Sequence, residues 1–287
     1  MEIVIGKTSG FCFGVANAVN KTNKVLEENN SIFCLGELVH NKQVTDDLQN
    51  KGLKIIDNIQ DARESVIIRA HGATEKTYNE AKKMGLNVID LSCPKVLKIH
   101  DIAKEYSKDG YYIFLIGNKS HPESVATISY CGINSKIIQN KEEVKQAILD
   151  LYNSKSNKLL VIVQTTFNLE KFEEIVLEIE EKIKENEDIT LEVKNTICDA
   201  TKKRQNETEE LSSKVDMMII IGGKNSSNTN KLYEISKEKC KNSVLIEKAE
   251  ELNLEEIRKY NKIGIMAGAS TPKESIEAVV EKLNKIC

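Results

Sequence analysis

Twelve short apolar runs recur along the chain, and most of them are separated by charged stretches whose apolar residues repeat at helical spacing. Typical runs read YYIFLIG and KLLVIVQ, and a typical separating stretch reads LEKFEEIVLEIEEKIKEN. A continuous apolar run indicates a strand that is buried on both faces, and regular alternation of such strands with helices is characteristic of parallel sheets. The sequence therefore predicts an α/β protein whose sheets are mostly parallel.

The twelve runs fall into three groups of four that share one order, provided that the first run is assigned to the last group. In each group the first run ends in a glycine, the second leads into an acidic helix, the third ends in a small polar cluster, and the fourth ends in a cysteine before a helix. Repetition of this kind predicts three related units, each with its own four-stranded sheet. We expect pseudo-threefold-related domains at residues 13–97, at 98–199, and at 200–287 together with 1–12.

Composition argues against several classes of function. The net charge of −3 gives no sign of a nucleic acid or an acidic membrane as partner. No window approaches the roughly 18 apolar residues of a membrane span, and the first residues, MEIVIGKTSG, lack the features of a secretion signal. We therefore expect a cytoplasmic protein, whose seven cysteines stay reduced and act as packing residues, metal ligands or nucleophiles.

Three of the seven cysteines occupy the same place in the three groups: Cys12, Cys93 and Cys198 each end a fourth run and precede a helix. A helix amino terminus stabilises a thiolate, and ligands of parallel sheets bind beyond the carboxyl ends of the strands. If the units surround a common axis, the three thiols could meet at one point. We expect the other cysteines to serve packing only; they are Cys34, Cys131, Cys240 and Cys287.

Three thiolates without a fourth would leave one coordination position of a metal centre open. A structural zinc site is normally closed by a fourth protein ligand, usually from close pairs of the C-x-x-C type, which this sequence lacks. An iron–sulfur cluster accepts ligands that are far apart in the chain, and an iron without a cysteine can act on a substrate as a Lewis acid. The sequence thus favours an iron–sulfur site with an open, reactive iron.

Hydrogen-bond donors are concentrated in the loops that follow the first and third runs. Three of the four histidines lie there, His40, His71 and His121, together with hydroxyl and amide side chains. Those side chains are Thr165, Thr166, Ser226, Ser227, Asn228, Ser270 and Thr271. Such donors predict a phosphate or diphosphate site, and without a P-loop or a G-x-G-x-x-G motif nothing indicates a nucleotide. Glu123, in the same region, would be protonated beside a bound anion and is a candidate general acid.

Nine short motifs resemble, in order and over essentially the whole chain, those of the 4-hydroxy-3-methylbut-2-enyl diphosphate reductase family (IspH/LytB). They read GFCFGV, GELVHN, RAHG, SCPKV, SHPE, VQTT, NTICDAT, KNSSNT and GAST. Any one of them is a weak signal, but nine in order are highly specific. The resemblance implies three small α/β domains around a central cleft, and an oxygen-sensitive [4Fe–4S] cluster on Cys12, Cys93 and Cys198.

The resemblance also implies a reaction, the reductive removal of the allylic hydroxyl of 4-hydroxy-3-methylbut-2-enyl diphosphate to give isopentenyl and dimethylallyl diphosphates. This is the last step of the non-mevalonate (MEP) isoprenoid pathway. Glu123 would donate the proton, Thr165 would orient the substrate hydroxyl, and His121 would belong to both the catalytic and the binding set. The diphosphate would be held by His40, His71, His121, Ser226, Ser227, Asn228 and Ser270. Because no flavin or nicotinamide motif is present, electrons would come from a separate ferredoxin or flavodoxin.

Two other functions are compatible with the same residues. A zinc-dependent hydrolase of a phosphorylated metabolite would hold zinc on the three cysteines and use Glu123 as a base. A non-catalytic anion-binding or redox-sensing module would keep the cluster, but no turnover would depend on Glu123. Metal analysis separates the hydrolase from the reductase, because a zinc site carries no acid-labile sulfide.

Overall fold

The computed structural model describes residues 1–184 and 188–285, and over these ranges the chain forms an α/β protein of twelve strands and eleven α-helices. The strands are β1 (Glu2–Ile5), β2 (Ile32–Leu35), β3 (Leu53–Ile56), β4 (Ser65–Ile68), β5 (Asn87–Asp90), β6 (Tyr112–Ile116), β7 (Ser135–Ile138), β8 (Lys158–Val163), β9 (Thr190–Val193), β10 (Met217–Ile221), β11 (Ser243–Ile246) and β12 (Lys262–Ala267). The helices are α1 (Phe13–Glu28), α2 (Lys42–Asn50), α3 (Glu75–Lys83), α4 (Pro94–Lys108), α5 (Pro122–Ile128), α6 (Val144–Ser154), α7 (Leu169–Ile183), α8 (Asp199–Ser212), α9 (Ser227–Lys239), α10 (Leu254–Ile257) and α11 (Lys273–Asn284).

Every one of the twelve apolar runs forms a strand, so that prediction is confirmed. The strands make three four-stranded sheets, in the orders β1-β12-β10-β11, β3-β2-β4-β5 and β7-β6-β8-β9. All pairs of neighbours within these sheets run parallel. Named by their place in each group of four runs, the strands follow the order fourth, third, first, second in all three sheets. The predicted fold, with one four-stranded parallel sheet for each group, is therefore confirmed.

The chain divides into two compact units, of which the first comprises Met1–Asn23, Val39–Lys51 and Asp199–Cys287. Its sheet contains the amino-terminal strand β1, which pairs with β12. On one face of this sheet Ile219 and Ile265 belong to a buried core together with residues of α11. On the other face Met218 and Met266 belong to a second core together with residues of α8 and α9. Because both faces are apolar, helices must cover both of them.

The second unit comprises Lys24–Leu38 and Gly52–Cys198 and contains the other two sheets. Its best-buried strands are β6 and β8, which lie side by side. Phe114 and Val161 pack in one core with residues of α6 and α7. Ile113 and Leu160 point to the opposite face and pack with Ile99 of α4. The period of two along these strands thus divides their side chains between two helical layers.

The ends of the first strands are fixed in the same way in all three sheets. The glycine after each first strand donates its amide to the last residue of the neighbouring second strand. The pairs are Gly36 with Ile56 at 2.8 Å, Gly117 with Ile138 at 3.0 Å, and Gly222 with Ile246 at 2.9 Å. The polar loops that follow these glycines therefore leave the sheets at equivalent positions.

The acidic helix predicted after the second strand of the first group is wrong. After β3 the chain forms only a 3₁₀ turn, Ile59–Asp61, and then enters β4. Residues 57–64 are too few to hold a helix of several turns and still reach the next strand. The longer connections after β7 and β11 do contain helices, α6 and α10.

No helix within residues 1–184 and 188–285 is long and apolar enough to cross a membrane. The boundaries of the three predicted domains and their pseudo-threefold relation stay predictions. Cys287, which we expect to serve packing, lies outside the described residues.

Candidate active site

Cys12, Cys93 and Cys198 each lie directly before a helix, as the sequence predicts; the helices are α1, α4 and α8. Their amides also make equivalent hydrogen bonds, each to a carbonyl in the loop after the third strand of its own group. The bonds run from Cys12 to Ala269 at 3.1 Å, from Cys93 to Ala70 at 3.0 Å, and from Cys198 to Thr165 at 3.1 Å. Each cysteine is thereby held beside a polar loop, at the amino terminus of a helix.

The described cysteines differ in exposure. Cys12, Cys93 and Cys198 are partly exposed, whereas Cys34, Cys131 and Cys240 are buried. Burial raises the pKa of both Cys34 and Cys131 to about 12, although the Arg69 cation acts in the opposite direction on Cys34. A thiol with such a pKa stays protonated at neutral pH and is a poor metal ligand. These buried cysteines therefore behave as the packing residues expected from the sequence.

Glu123 is a buried carboxyl group, 2% exposed, in the first turn of α5. Its two oxygens accept hydrogen bonds from Thr165, one from the main-chain N–H and one from the hydroxyl, each 2.6 Å long. Burial raises the pKa of Glu123 to about 7, and the two hydrogen bonds from Thr165 oppose that rise. A carboxyl group with this pKa is substantially protonated at neutral pH, which suits a general acid.

His121 precedes α5 and caps it, because its Nδ1 accepts a hydrogen bond of 3.2 Å from the main-chain N–H of Glu123. A ring nitrogen that accepts a hydrogen bond carries no proton, so the neutral imidazole of His121 has its proton on Nε2. The ring of His71 lies edge-to-face against that of His121, with 5.3 Å between the ring centroids. Two of the three predicted binding histidines are thus brought together.

Five of the predicted residues form one series of contacts in the second unit. The main chain of Cys198 bonds to Thr165, the side chain of Thr165 bonds to Glu123, and the amide of Glu123 bonds to His121, which contacts His71. A candidate metal ligand, a candidate acid and two candidate anion-binding groups therefore lie next to one another.

Other predicted binding residues come together in the first unit. The hydroxyl of Ser270, after β12, donates a hydrogen bond of 2.9 Å to the main-chain carbonyl of His40. The loop after β10 approaches the same carbonyl at Gly223, where a Cβ atom would lie only 2.7 Å from the oxygen. Only a glycine allows this approach, so the sequence Gly-Gly after β10 has a direct structural reason.

Asn228 lies in the first turn of α9 and is 3% exposed. Its Oδ1 accepts a hydrogen bond of 2.9 Å from the amide of Ala269, while its Nδ2 has no hydrogen-bond partner within the described residues. Ser226 caps the same helix by accepting the amide of Thr229, and Ser227 is its first residue. A buried amide donor without a partner, at the amino terminus of a helix, fits an anion as its missing acceptor.

Thr271 and Thr166, also expected among the anion-binding groups, bond within the protein. The Thr271 hydroxyl donates a hydrogen bond of 2.9 Å to the carbonyl of Ile221, so its only proton is already used within the protein. The Thr166 hydroxyl oxygen accepts a hydrogen bond of 2.9 Å from Nε2 of Gln164. Neither contact points to a role in binding a ligand.

Gln164 is a residue of the site to which the sequence assigned no role. It is 1% exposed, and its Oε1 accepts hydrogen bonds from the amide of Asn118 at 3.0 Å and from the hydroxyl of Ser124 at 3.3 Å. It therefore joins the loops after β6 and β8, which carry His121 and Thr165. The signal in the sequence was a glutamine that ends a continuous apolar run, because a buried amide must find partners.

Arg204 was also missed. It is 4% exposed on α8, and its Nη2 donates a hydrogen bond of 2.6 Å to the carbonyl of Gly10, two residues before Cys12. The buried side of α8 is polar; it includes Thr201, Arg204, Gln205 and Thr208. A search for apolar periodicity could not detect this face.

Comparison with protein families and with curated proteins identifies relatives of the chain. A family model described as LytB protein matches residues 3–284. The 4-hydroxy-3-methylbut-2-enyl diphosphate reductase of Thermoanaerobacter sp. (strain X514) is 39% identical over 289 residues, which cover 99% of this chain and 96% of that protein.

Two solved structures are similar over almost the whole chain. One, described as (E)-4-hydroxy-3-methyl-but-2-enyl diphosphate reductase, the terminal enzyme of the non-mevalonate pathway, is 38% identical with a TM-score of 0.71; the match covers 99% of this chain and 100% of that one. The other is the E-1-hydroxy-2-methyl-but-2-enyl-4-diphosphate reductase from Plasmodium falciparum, which is 28% identical with a TM-score of 0.88. That match covers 98% of this chain and 87% of the other.

Proposed function

We infer the function from the premise that this chain belongs to the LytB protein family. It is an oxidoreductase, a 4-hydroxy-3-methylbut-2-enyl diphosphate reductase, and its reaction is the last step of the non-mevalonate (MEP) pathway to isoprenoids. No relative supports the hydrolase alternative. Within this family assignment, the observation that carries the mechanism proposed below is the buried Glu123 carboxyl group with its two hydrogen bonds from Thr165.

The reaction removes the allylic hydroxyl of the substrate as water and gives isopentenyl or dimethylallyl diphosphate. One C–O bond breaks, and two electrons enter the substrate. Two protons are consumed, because one leaves with the hydroxyl as water and the other forms a new C–H bond. The protein therefore has to hold the diphosphate, place a proton beside the hydroxyl and connect the site to an electron source.

We propose that Cys12, Cys93 and Cys198 hold a [4Fe–4S] cluster. Their chemistry fits this group, because the three thiols are partly exposed and each directly precedes a helix. The other three described cysteines are buried. When bound, such a cluster would supply electrons and a Lewis-acidic iron that no cysteine occupies.

Glu123 is the proposed proton donor to the departing hydroxyl. Its pKa of about 7 keeps a substantial fraction of it protonated at neutral pH, so a proton is available without an external acid. Once the proton has left, the carboxylate is stabilised by the N–H and the hydroxyl of Thr165. Thr165 thereby has two proposed roles: it orients the substrate hydroxyl and it makes the conjugate base of Glu123 less costly to form.

The diphosphate is proposed to be bound by histidine, hydroxyl and amide donors rather than by lysines. The proposed set is His40, His71, His121, Ser226, Ser227, Asn228 and Ser270. Two features support it: His121 carries its proton on Nε2, and the Nδ2 group of Asn228 has no acceptor within the described chain. The amino terminus of α9, a helix of 13 residues, adds a favourable electrostatic field for an anion.

A separate protein is the proposed electron donor, of the ferredoxin or flavodoxin type. This proposal rests on the sequence, in which no flavin or nicotinamide motif occurs. A cytoplasmic location likewise stays a prediction from the sequence.

The test is a turnover assay with protein purified without oxygen and reconstituted with iron and sulfide. A low-potential chemical reductant and 4-hydroxy-3-methylbut-2-enyl diphosphate are added, and products are identified by mass spectrometry. The proposal predicts isopentenyl and dimethylallyl diphosphates, and no product from protein loaded with zinc instead. Release of inorganic phosphate or diphosphate by the zinc-loaded protein, with no reduced product from the iron-loaded one, would favour the hydrolase.

A further inference from the structure

Two aromatic rings, those of His100 and Tyr130, are stacked against each other in the second unit. His100 lies on α4 and is 4% exposed, and Tyr130 lies just after α5. The ring centroids are 4.3 Å apart and the rings are inclined by only 17°.

Both rings contact the loop that carries His71. At Gly72, which has a positive φ of 77°, a Cβ atom would lie 2.8 Å from Cε1 of His100, so the imidazole packs directly against the main chain there. The Tyr130 hydroxyl donates a hydrogen bond of 3.1 Å to the carbonyl of Ala73. The two residues that follow His71 are therefore held by one ring each.

Shape and not charge holds His100 in this place. Burial lowers its pKa to about 4, so the ring is neutral at physiological pH, and its Nε2 has no hydrogen-bond partner within the described chain. Burial also raises the pKa of Tyr130 to about 12, so its hydroxyl keeps the proton that it donates to Ala73. The stack is thus a neutral support whose contacts with the loop persist over the working pH range.

The supported loop determines where the His71 ring lies. That ring is edge-to-face with His121, whose own orientation is fixed by the amide of Glu123. A shift of residues 72 and 73 would move His71 relative to His121, whereas the carboxyl group of Glu123 is held separately by Thr165. The support therefore acts on one member of the proposed anion-binding set and leaves the proton donor in place.

We propose that His100 and Tyr130 are positioning residues for His71, which they hold in the orientation that binds the diphosphate. This inference rests on the proposed function, because it assigns the purpose of the loop to substrate binding. Neither residue touches the substrate in this account; each acts through the main chain beside His71.

The first test uses Tyr130→Phe, which removes the hydroxyl and keeps the stack, and His100→Ala, which removes the stack. Tyr152→Phe is the matched control, because that hydroxyl also donates to a carbonyl, of Lys182 at 3.4 Å, but on the surface. Hydrogen exchange of residues 70–74 is measured in substrate-free protein. We expect it to be faster by about tenfold in Tyr130→Phe, the effect of losing about one hydrogen bond. It should also be faster in His100→Ala, which loses the packing against Gly72, and unchanged in the control.

The second test measures binding of inorganic diphosphate and steady-state turnover in the same three variants. We expect the dissociation constant and KM to rise by about fivefold to tenfold in the test variants while kcat changes by less than about twofold, because lost uniform binding affects KM. In a His71→Ala background Tyr130→Phe should cause no further rise in KM, since both changes act through the same side chain.

The outcomes separate this inference from the proposed function. Unchanged exchange of residues 70–74 in both test variants would contradict the support itself. Faster exchange with unchanged KM, or a full additional effect in the His71→Ala background, would contradict the positioning of His71. Failure of the unmodified protein to reduce the substrate would instead contradict the proposed function.

Discussion

The carboxylate of Glu123 accepts both hydrogen bonds that Thr165 can donate, one from the main-chain N–H and one from the hydroxyl. Burial of Glu123 favours the protonated form, while these two bonds favour the ionised form. Burial is the larger effect, so the pKa of Glu123 is raised from 4.5 to about 7, close to neutral pH. A proton at this position can therefore be given and regained at little cost.

Replacement of Glu123 by glutamine removes the proton donor but keeps the shape of the side chain. We expect kcat to fall by roughly 100-fold or more, which is the usual scale of general-acid catalysis, with substrate binding largely unchanged. Steady-state kinetics under anaerobic conditions measure the effect. Glu173→Gln, at an exposed position on α7, is the control and should retain normal turnover. Near-normal turnover of the Glu123 variant would remove this residue from the mechanism.

The pH dependence of kcat should show the same group. Because a general acid works in its protonated form, activity should decline as the pH rises through about 7. The hydroxyl of Thr165 lowers the pKa of Glu123, so Thr165→Val should move this decline to higher pH, in addition to lowering kcat. Measurement of kcat between about pH 6 and about pH 9, for the unmodified protein and for Thr165→Val, tests this prediction. A shift to lower pH in the Thr165 variant would contradict the assignment.

The same carboxyl group should make protein stability depend on pH. The folded-state pKa of Glu123, about 7, lies above its usual value of 4.5. The group therefore contributes its full stabilisation of the folded state below pH 4.5, and this stabilisation is lost as the pH rises through 7. The loss in the free energy of unfolding is about 3 kcal/mol at most, from the size of the pKa shift. Urea unfolding of the substrate-free protein and of Glu123→Gln at about pH 5 and about pH 8 measures it. If the unmodified protein and Glu123→Gln lost the same free energy of unfolding between these two pH values, the raised pKa of Glu123 would be wrong.

Asn228 offers a substitution that separates its two hydrogen-bonding groups. Asn228→Asp keeps the oxygen that accepts from Ala269 but replaces the Nδ2 donor by a negatively charged oxygen. We expect affinity for inorganic diphosphate to fall by about tenfold or more, because a donor is lost and like charges repel. Calorimetric titration measures it. Asn20→Asp, at an exposed position on α1 with no proposed role, makes the same change of charge and should have a much smaller effect. Equal losses would show that only net charge matters.

Strands and strand-end cysteines could be predicted because they depend on local sequence. A strand buried on both faces needs a continuous apolar run, and all twelve such runs became strands. The cysteines at positions 12, 93 and 198 could be placed before helices because the repeat fixed their register. The wrong prediction of a helix after β3 has a local cause too. The length of the connection, and not its acidic composition, decides whether a helix fits there.

The supporting contacts of the site could not be predicted, since they join residues that are distant in the chain. Gln164 bonds to the loop of Asn118, and His100 packs against Gly72, and neither pairing leaves a periodic pattern in the sequence. The raised pKa of Glu123 depends on the full burial of its carboxyl group, which is a property of the tertiary structure. Sequence motifs therefore predicted candidate reacting groups, and the structure was needed to find which contacts hold them.

Substitution of the proposed cluster ligands should affect iron content selectively. Cys93→Ser should lose or destabilise the cluster, because serine replaces a thiolate ligand. Cys131→Ala removes a buried thiol that packs in the core beside Ile113, and its iron content should be normal. Full iron content and activity in Cys93→Ser would contradict the ligand assignment.

The most direct test of the cluster proposal is the content of iron, zinc and acid-labile sulfide, with the visible spectrum, of protein purified without oxygen. The account predicts about four irons and about four sulfides per chain, and a broad absorption band near about 400 nm. It also predicts that this band changes when 4-hydroxy-3-methylbut-2-enyl diphosphate is added. Zinc in place of iron, or a colourless protein that cannot be reconstituted with iron and sulfide, would contradict it.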